Sequence, residues 1–120
     1  MQVVLGDFGF AASALDVRAM ARRCGSPGFI APEIFRPHWG SEAWEDESFG
    51  RTTEILKVDM FSFGTLLYVL VLGSNPFAAG DVKLMYRSNA RGVIPAGSLE
   101  SLSAELQGFL AWLCERDPLS

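Results

Sequence analysis

The chain has 120 residues, 49% of them apolar, and a formal net charge of -4. That length fits one domain or part of one, and that apolar fraction excludes wholesale disorder. The negative balance, with no basic run longer than Arg22-Arg23, argues against a nucleic-acid partner.

In chain order, Val3-Val4-Leu5 is a short β-branched run stopped by Gly6, which predicts the end of a strand. Asp7-Phe8-Gly9 follows at once. A carboxylate at the mouth of a strand, beside a flexible glycine, suits a hard cation such as Mg²⁺, although Asp-x-Gly is also ordinary turn chemistry. Ala14 to Ala21 has mixed polarity and predicts a loop with one helical turn. Cys24-Gly25-Ser26-Pro27-Gly28 is turn chemistry, and Ala31-Pro32-Glu33-Ile34-Phe35 starts a short helix with Pro32 in its first turn. The single histidine, His38, sits in Pro-His-Trp and reads as a loop residue rather than a general base. Glu42, Glu45, Asp46 and Glu47 form an acidic run between Gly40 and Gly50, which reads as a solvated loop. The sharper reading is a docking surface for a basic partner, anchored by Trp39 and Trp44.

The organising stretch is Val58 to Leu72, VDMFSFGTLLYVLVL. Asp59 reads as its N-cap, Gly73 as its C′ residue, and Pro76 forbids continuation. Its apolar side chains fall on every face, so a buried central helix is expected. Asp59 and Gly73 bracket too short a stretch for a membrane span of roughly 20 residues. Gly80-Asp81 then caps a short helix, Val82 to Asn89, on which Val82, Met85, Tyr86 and Asn89 share a face. Gly92, Pro95 and Gly97 mark a loop. Ser103 caps a last helix in which Leu106, Phe109, Leu110, Leu113 and Cys114 repeat at helical spacing. Cys114 lies on that face as a small core hydrophobe, and Cys24 reads as structural. Two cysteines without a framework or metal spacing read by default as reduced thiols in a cytoplasmic setting, and no signal-peptide pattern is visible.

Asp7-Phe8-Gly9 followed by Ala31-Pro32-Glu33 resembles the magnesium-binding and activation-segment pair of the eukaryotic protein kinases. CGSPGFIAPEIF looks like the substrate-facing loop of the serine/threonine kinases, nearest the calcium/calmodulin-dependent group. VDMFSFGTLLYVLVLGSNPF is similar to the family's buried central helix, and LQGFLAWLCERDPLS to a later helix and its Asp-Pro turn. The resemblance implies a mainly α fold, the C-terminal lobe of a kinase domain from Asp-Phe-Gly onward. Residues 1–120 would be a partial domain, with an activation segment at 7–33, an insertion at about 36–53 and a helical subdomain at 54–120.

Carried over by position, Asp7 would chelate the magnesium of Mg-ATP, with Phe8 and Gly9 as structural anchors beside it. Ser26, Gly28, Phe29 and Ile30 would face a protein substrate. Glu33 would tie the segment to the lobe by pairing with an arginine beyond the Asp-Pro turn, and Asp59 would hold the catalytic loop. Ser120 closes the chain before that arginine, so Glu33 is expected to turn to water and to leave Arg116 unpaired with it. Arg22 and Arg23 stand where the activating phosphosite usually lies. The chain has no G-x-G-x-x-G and only Lys57 and Lys83 as lysines, so the nucleotide cradle, strand lysine and catalytic-loop aspartate are not in it. The implied activity is ATP-dependent phosphoryl transfer to protein Ser/Thr, with this chain inactive and binding no nucleotide alone. A non-catalytic kinase-like scaffold or regulator is the rival reading, and neither implies a membrane partner.

Overall fold

The computed structural model describes residues 1–37, 39–40 and 49–115. The chain is mainly helical, and among the described residues there is no strand. Val3, Val4 and Leu5 are 82%, 76% and 88% exposed, so the strand predicted there is not formed. A lone strand leaves its ladder groups without partners, and among the described residues no neighbour pairs with it.

Helix α1, Val17–Met20, is the single turn expected, with the Asp16 carboxylate accepting from the Ala19 N–H at 3.0 Å. A 3-10 helix, Pro32–Phe35, follows with proline in its first turn. Helix α2, Phe49–Leu72, is the long helix of the fold. It contains the expected 58–72 stretch but begins well before it, inside the segment read as an insertion. Asp59 is therefore not an N-cap. Glu54-Ile55-Leu56-Lys57 contains no breaker, the hydrogen-bond ladder runs through it, and the Asp59 carboxylate lies exposed on the helix side.

Helix α3, Val82–Arg91, is capped by Asp81, which accepts from the Leu84 N–H at 2.8 Å, and ends at Gly92 in the left-handed region. Helix α4, Ala104–Leu113, has Ser103 as its cap. Leu110, Leu113 and Cys114 are buried as expected, whereas Phe109 is 43% exposed and stacks on Trp112.

Helix α2 organises two apolar clusters. Phe61 stacks on Phe77, centroids 6.0 Å apart, with Ala31 and Cys114 beside them and Ile34, Val58 and Ile94 packed against the group. One or two turns earlier, Ile55 meets Trp39, covered by Ala14, Val17 and Met20. Trp39 is 4% exposed and belongs to this core, so it is not the surface anchor that the sequence offered. Glu42, Glu45, Asp46, Glu47, Trp44 and His38 lie outside the described residues.

The other face of α2 is open. Leu56, Phe63 and Leu70 are 57%, 48% and 73% exposed, and Met60 and Leu66 are also bare. The helix is central and apolar all round, but it is buried on one side only. The length argument against a membrane span also fails as stated. Ile55–Leu72, with mean hydropathy 1.8, is long and apolar enough to cross one by length and composition. One side of it, with Ile55, Phe61, Thr65 and Tyr68, is buried against the rest of the chain, and 28% of the stretch is buried in all.

Candidate functional site

A segment without a strand partner must satisfy its backbone groups in some other way. Between Gly28 and Ile30 three successive carbonyls each receive a side-chain donor from a different part of the fold. Asn75 Nδ2, in the turn after α2, donates to the Gly28 carbonyl at 3.2 Å. Ser62 Oγ, on α2, donates to the Phe29 carbonyl at 2.6 Å and also lies 3.2 Å from the Val58 carbonyl. Asn89 Nδ2, on α3, donates to the Ile30 carbonyl at 2.6 Å.

Asn89 does more. Its Oδ1 accepts from the N–H groups of Gly28 and Ile30 at 3.0 and 3.1 Å, and the residue is wholly buried. An amide offers both an acceptor and a donor, so one side chain fixes the segment from both backbone polarities. The Asn75 Oδ1 meanwhile accepts from the Phe77 N–H at 2.8 Å, locking the turn that carries it.

Gly28 makes the close approach possible. Its φ is 89°, and a Cβ there would fall 2.5 Å from Met85 Cε and 2.6 Å from Asn75 Nδ2. Only glycine combines that conformation with that space. Upstream, the Phe29 N–H donates to the Ser26 carbonyl at 3.1 Å, closing a turn on which Ser26 itself is exposed. Downstream, Glu33 is 1% exposed. The expectation that it turns to water is overturned: the 3-10 helix that carries it packs on α3 and holds it inside. Arg116 lies outside the described residues.

The protein kinase domain model matches residues 1–120. The chain belongs to the protein kinase family. It is 33% identical over 114 residues to "Probable serine/threonine-protein kinase 2" of Plasmodium falciparum, covering 93% of this chain and 19% of that protein. It is 37% identical over 87 residues to "Probable serine/threonine-protein kinase PLK" of Dictyostelium discoideum, covering 72% of this chain and 8% of that protein. Against "Serine/threonine-protein kinase apg-1" of Neurospora crassa the identity is 32% over 117 residues, 96% of this chain and 11% of the other. The chain thus spans less than a fifth of the length of these kinases. No solved structure matches it significantly.

The structure of this kinase segment gathers Gly28, Phe29 and Ile30 with Asn75, Asn89 and Ser62, and it leaves Asp7 apart from them. Asp7 is exposed and has φ 60°, the one positive value at a non-glycine among the described residues. Phe8 is 67% exposed, and Gly9 is exposed beside it. Magnesium takes about six oxygen ligands. Among the described residues no three His, Cys, Asp or Glu side chains converge, and Asp7 brings a single exposed carboxylate.

Asn75, Asn89 and Ser62 were not singled out from the sequence as site residues. The one available signal was Asn89, a polar residue on the inner face of an amphipathic helix, where a buried amide must find partners.

The two thiols differ in the same terms. Burial pushes Cys114 from 9.0 up to about 11, whereas Cys24 is half-buried. A thiol reagent at pH 8 is expected to label Cys24 promptly and Cys114 only on unfolding. Above pH 9 the unfolded chain loses a thiol proton that folded Cys114 keeps until about pH 11, so this contribution to stability falls across that window. Urea midpoints of the parent should drop relative to Cys114→Ala between those pH values. Parallel curves, or equal labelling of both cysteines, would contradict the buried thiol.

Proposed function

We propose that the chain is the C-terminal lobe part of a cytoplasmic protein serine/threonine kinase domain that transfers phosphoryl from Mg-ATP to protein hydroxyls. Residues 7–33 are its activation segment. The observation that carries this reading is the held Gly28–Ile30 segment, together with the match to the kinase family along the whole chain. Phosphoryl transfer depends on positioning and on charge stabilisation more than on covalent chemistry. A substrate backbone can be positioned only by a loop that does not itself move, and five side-chain hydrogen bonds supply that rigidity.

Ser26 and Phe29 face the protein substrate on a loop whose Gly28 and Ile30, expected beside them, are buried and hold it from beneath; Glu33 anchors the segment, and Asp59 serves the catalytic loop in the assembled domain. Asp7 gives one magnesium ligand there, and Phe8 and Gly9 set its position. The left-handed backbone at Asp7 supports its place in the site, since such conformations collect where function requires them. The residues CGSPGFIAPEIF support assigning the chain, within this proposal, to the calcium/calmodulin-dependent group.

The test is a chimera that joins the nucleotide lobe and catalytic loop of a serine/threonine kinase to this chain before Asp7. It should phosphorylate serine or threonine acceptors. Asp7→Ala in the chimera should lower transfer roughly 100-fold or more, the scale of losing one contact to developing charge. The 120-residue chain alone should transfer no faster than a blank. A folded chimera without transfer would favour the scaffold reading.

A further inference from the structure

The kinase reading leaves the substrate open, and the residues leading into the held loop bear on it. From Val17 to Pro32 the sequence holds three arginines, Arg18, Arg22 and Arg23, and no acid, within a chain of net charge -4. Packing decides where they point. Val17 and Met20 lie down on Trp39 and Ile55, and a Cβ on Gly40 would meet Ala21 at 2.9 Å, so that side of the turn is filled. Arg18, Arg22 and Arg23 are left on the solvent side, all exposed.

Arg18 lies in α1 and Arg22 follows directly after its C-cap Ala21. Neither guanidinium has a partner among the described residues. Arg23 is tied down, its Nη2 donating to the Arg36 carbonyl at 3.0 Å, which holds a third positive charge at the entrance of the loop. Exposed guanidinium groups clustered in one stretch of chain raise the local positive potential, so such a stretch gains when an anion arrives.

We infer that Arg18, Arg22 and Arg23 select acceptor peptides that carry acidic or phosphorylated residues beside the hydroxyl amino acid. This rests on the kinase reading, because it takes residues 26–30 as the surface under the peptide. Arginine forks match carboxylate and phosphate oxygens alike, so both kinds of anionic peptide belong to the class.

The test tethers the 120-residue chain to a biosensor surface and passes labelled serine peptides over it, flanked by glutamate, phosphoserine, alanine or lysine. At low salt the glutamate and phosphoserine peptides are expected to bind about five- to tenfold tighter than the alanine peptide, and the lysine peptide weakest. At about 0.5 M salt the preference should shrink to about twofold or less. Arg18→Glu with Arg22→Glu should reverse the order, and Arg18→Lys with Arg22→Lys should largely keep it. Arg23 is left in place because of its bond to the Arg36 carbonyl. Circular dichroism confirms that each variant folds. Binding that ignores peptide charge overturns this inference alone, whatever the chimera does. Equal capture of a short oligonucleotide, with the same arginine dependence, overturns it as well. Capture of no peptide overturns it too, and the kinase reading then stands or falls on the transfer assay.

Discussion

Asn89→Ala is expected to cost at least about 3 kcal/mol and to release the Gly28–Ile30 segment. The change deletes the acceptor for two buried N–H groups and the donor for a buried carbonyl. Each buried polar group left unsatisfied costs about 1–3 kcal/mol. Total stability at roughly 0.05–0.15 kcal/mol per residue leaves little margin for that loss. Asn89→Asp separates the two halves of the clamp. It retains the acceptor toward Gly28 and Ile30 but replaces the donor with a carboxylate oxygen set against the Ile30 carbonyl in a wholly buried site, so its cost should be at least as large. Urea unfolding gives the stability, and amide exchange at Gly28 and Ile30 gives the local effect. Unchanged midpoints and unchanged protection in both variants would show that the segment is held by something else.

That clamp also shows how far the sequence could be read. Local signals were legible. Asp81 and Ser103 announced the starts of α3 and α4 because a cap needs only its own turn. The turn before Met20 and the proline of the 3-10 helix were local in the same way. Leu110, Leu113 and Cys114 followed from a period that any buried helix face must obey.

The failures involve partners distant in the chain or outside it. Asp59 looks like a cap when only the apolar run after it is considered. Whether it caps depends on the residues before it, and those continue the helix. Val3-Val4-Leu5 has the composition of a strand, yet a strand exists only beside another. Trp39 next to an acidic run looked like a surface anchor, but its ring fits under α1 and against Ile55. Ser62 and Asn75 carry no pattern of their own, and their role appears only when residues more than thirty positions away are folded onto them. Glu33 was expected to turn to water on an argument about the chain end. The packing of its own helix on α3 decided the matter instead.

Two glycines in helices should respond to alanine with opposite signs. Alanine is favoured over glycine in a helix interior by about 1 kcal/mol. At Gly108, on α4, a Cβ would meet nothing within 4 Å, so Gly108→Ala should gain most of that amount. At Gly64, on α2, the same atom would sit 2.7 Å from Cys114 Sγ and 2.7 Å from Leu113 Cβ. These belong to α4, and its backbone at Leu113 lies just behind them at 3.4 Å, so the two helices must part. Overpacking of this kind costs typically 1–3 kcal/mol, and here it outweighs the propensity gain. Gly64→Ala should therefore be destabilising by about 1–2 kcal/mol net, and a larger residue such as Leu by more. The contact can be isolated by pairing the change with Cys114→Ala, which removes one of the two obstructing atoms. The double variant should lose less than the sum of the single losses, a coupling expected only for residues in contact. Strict additivity, or stabilisation by Gly64→Ala equal to that at Gly108, would mean that α2 and α4 do not approach as closely as the structure places them.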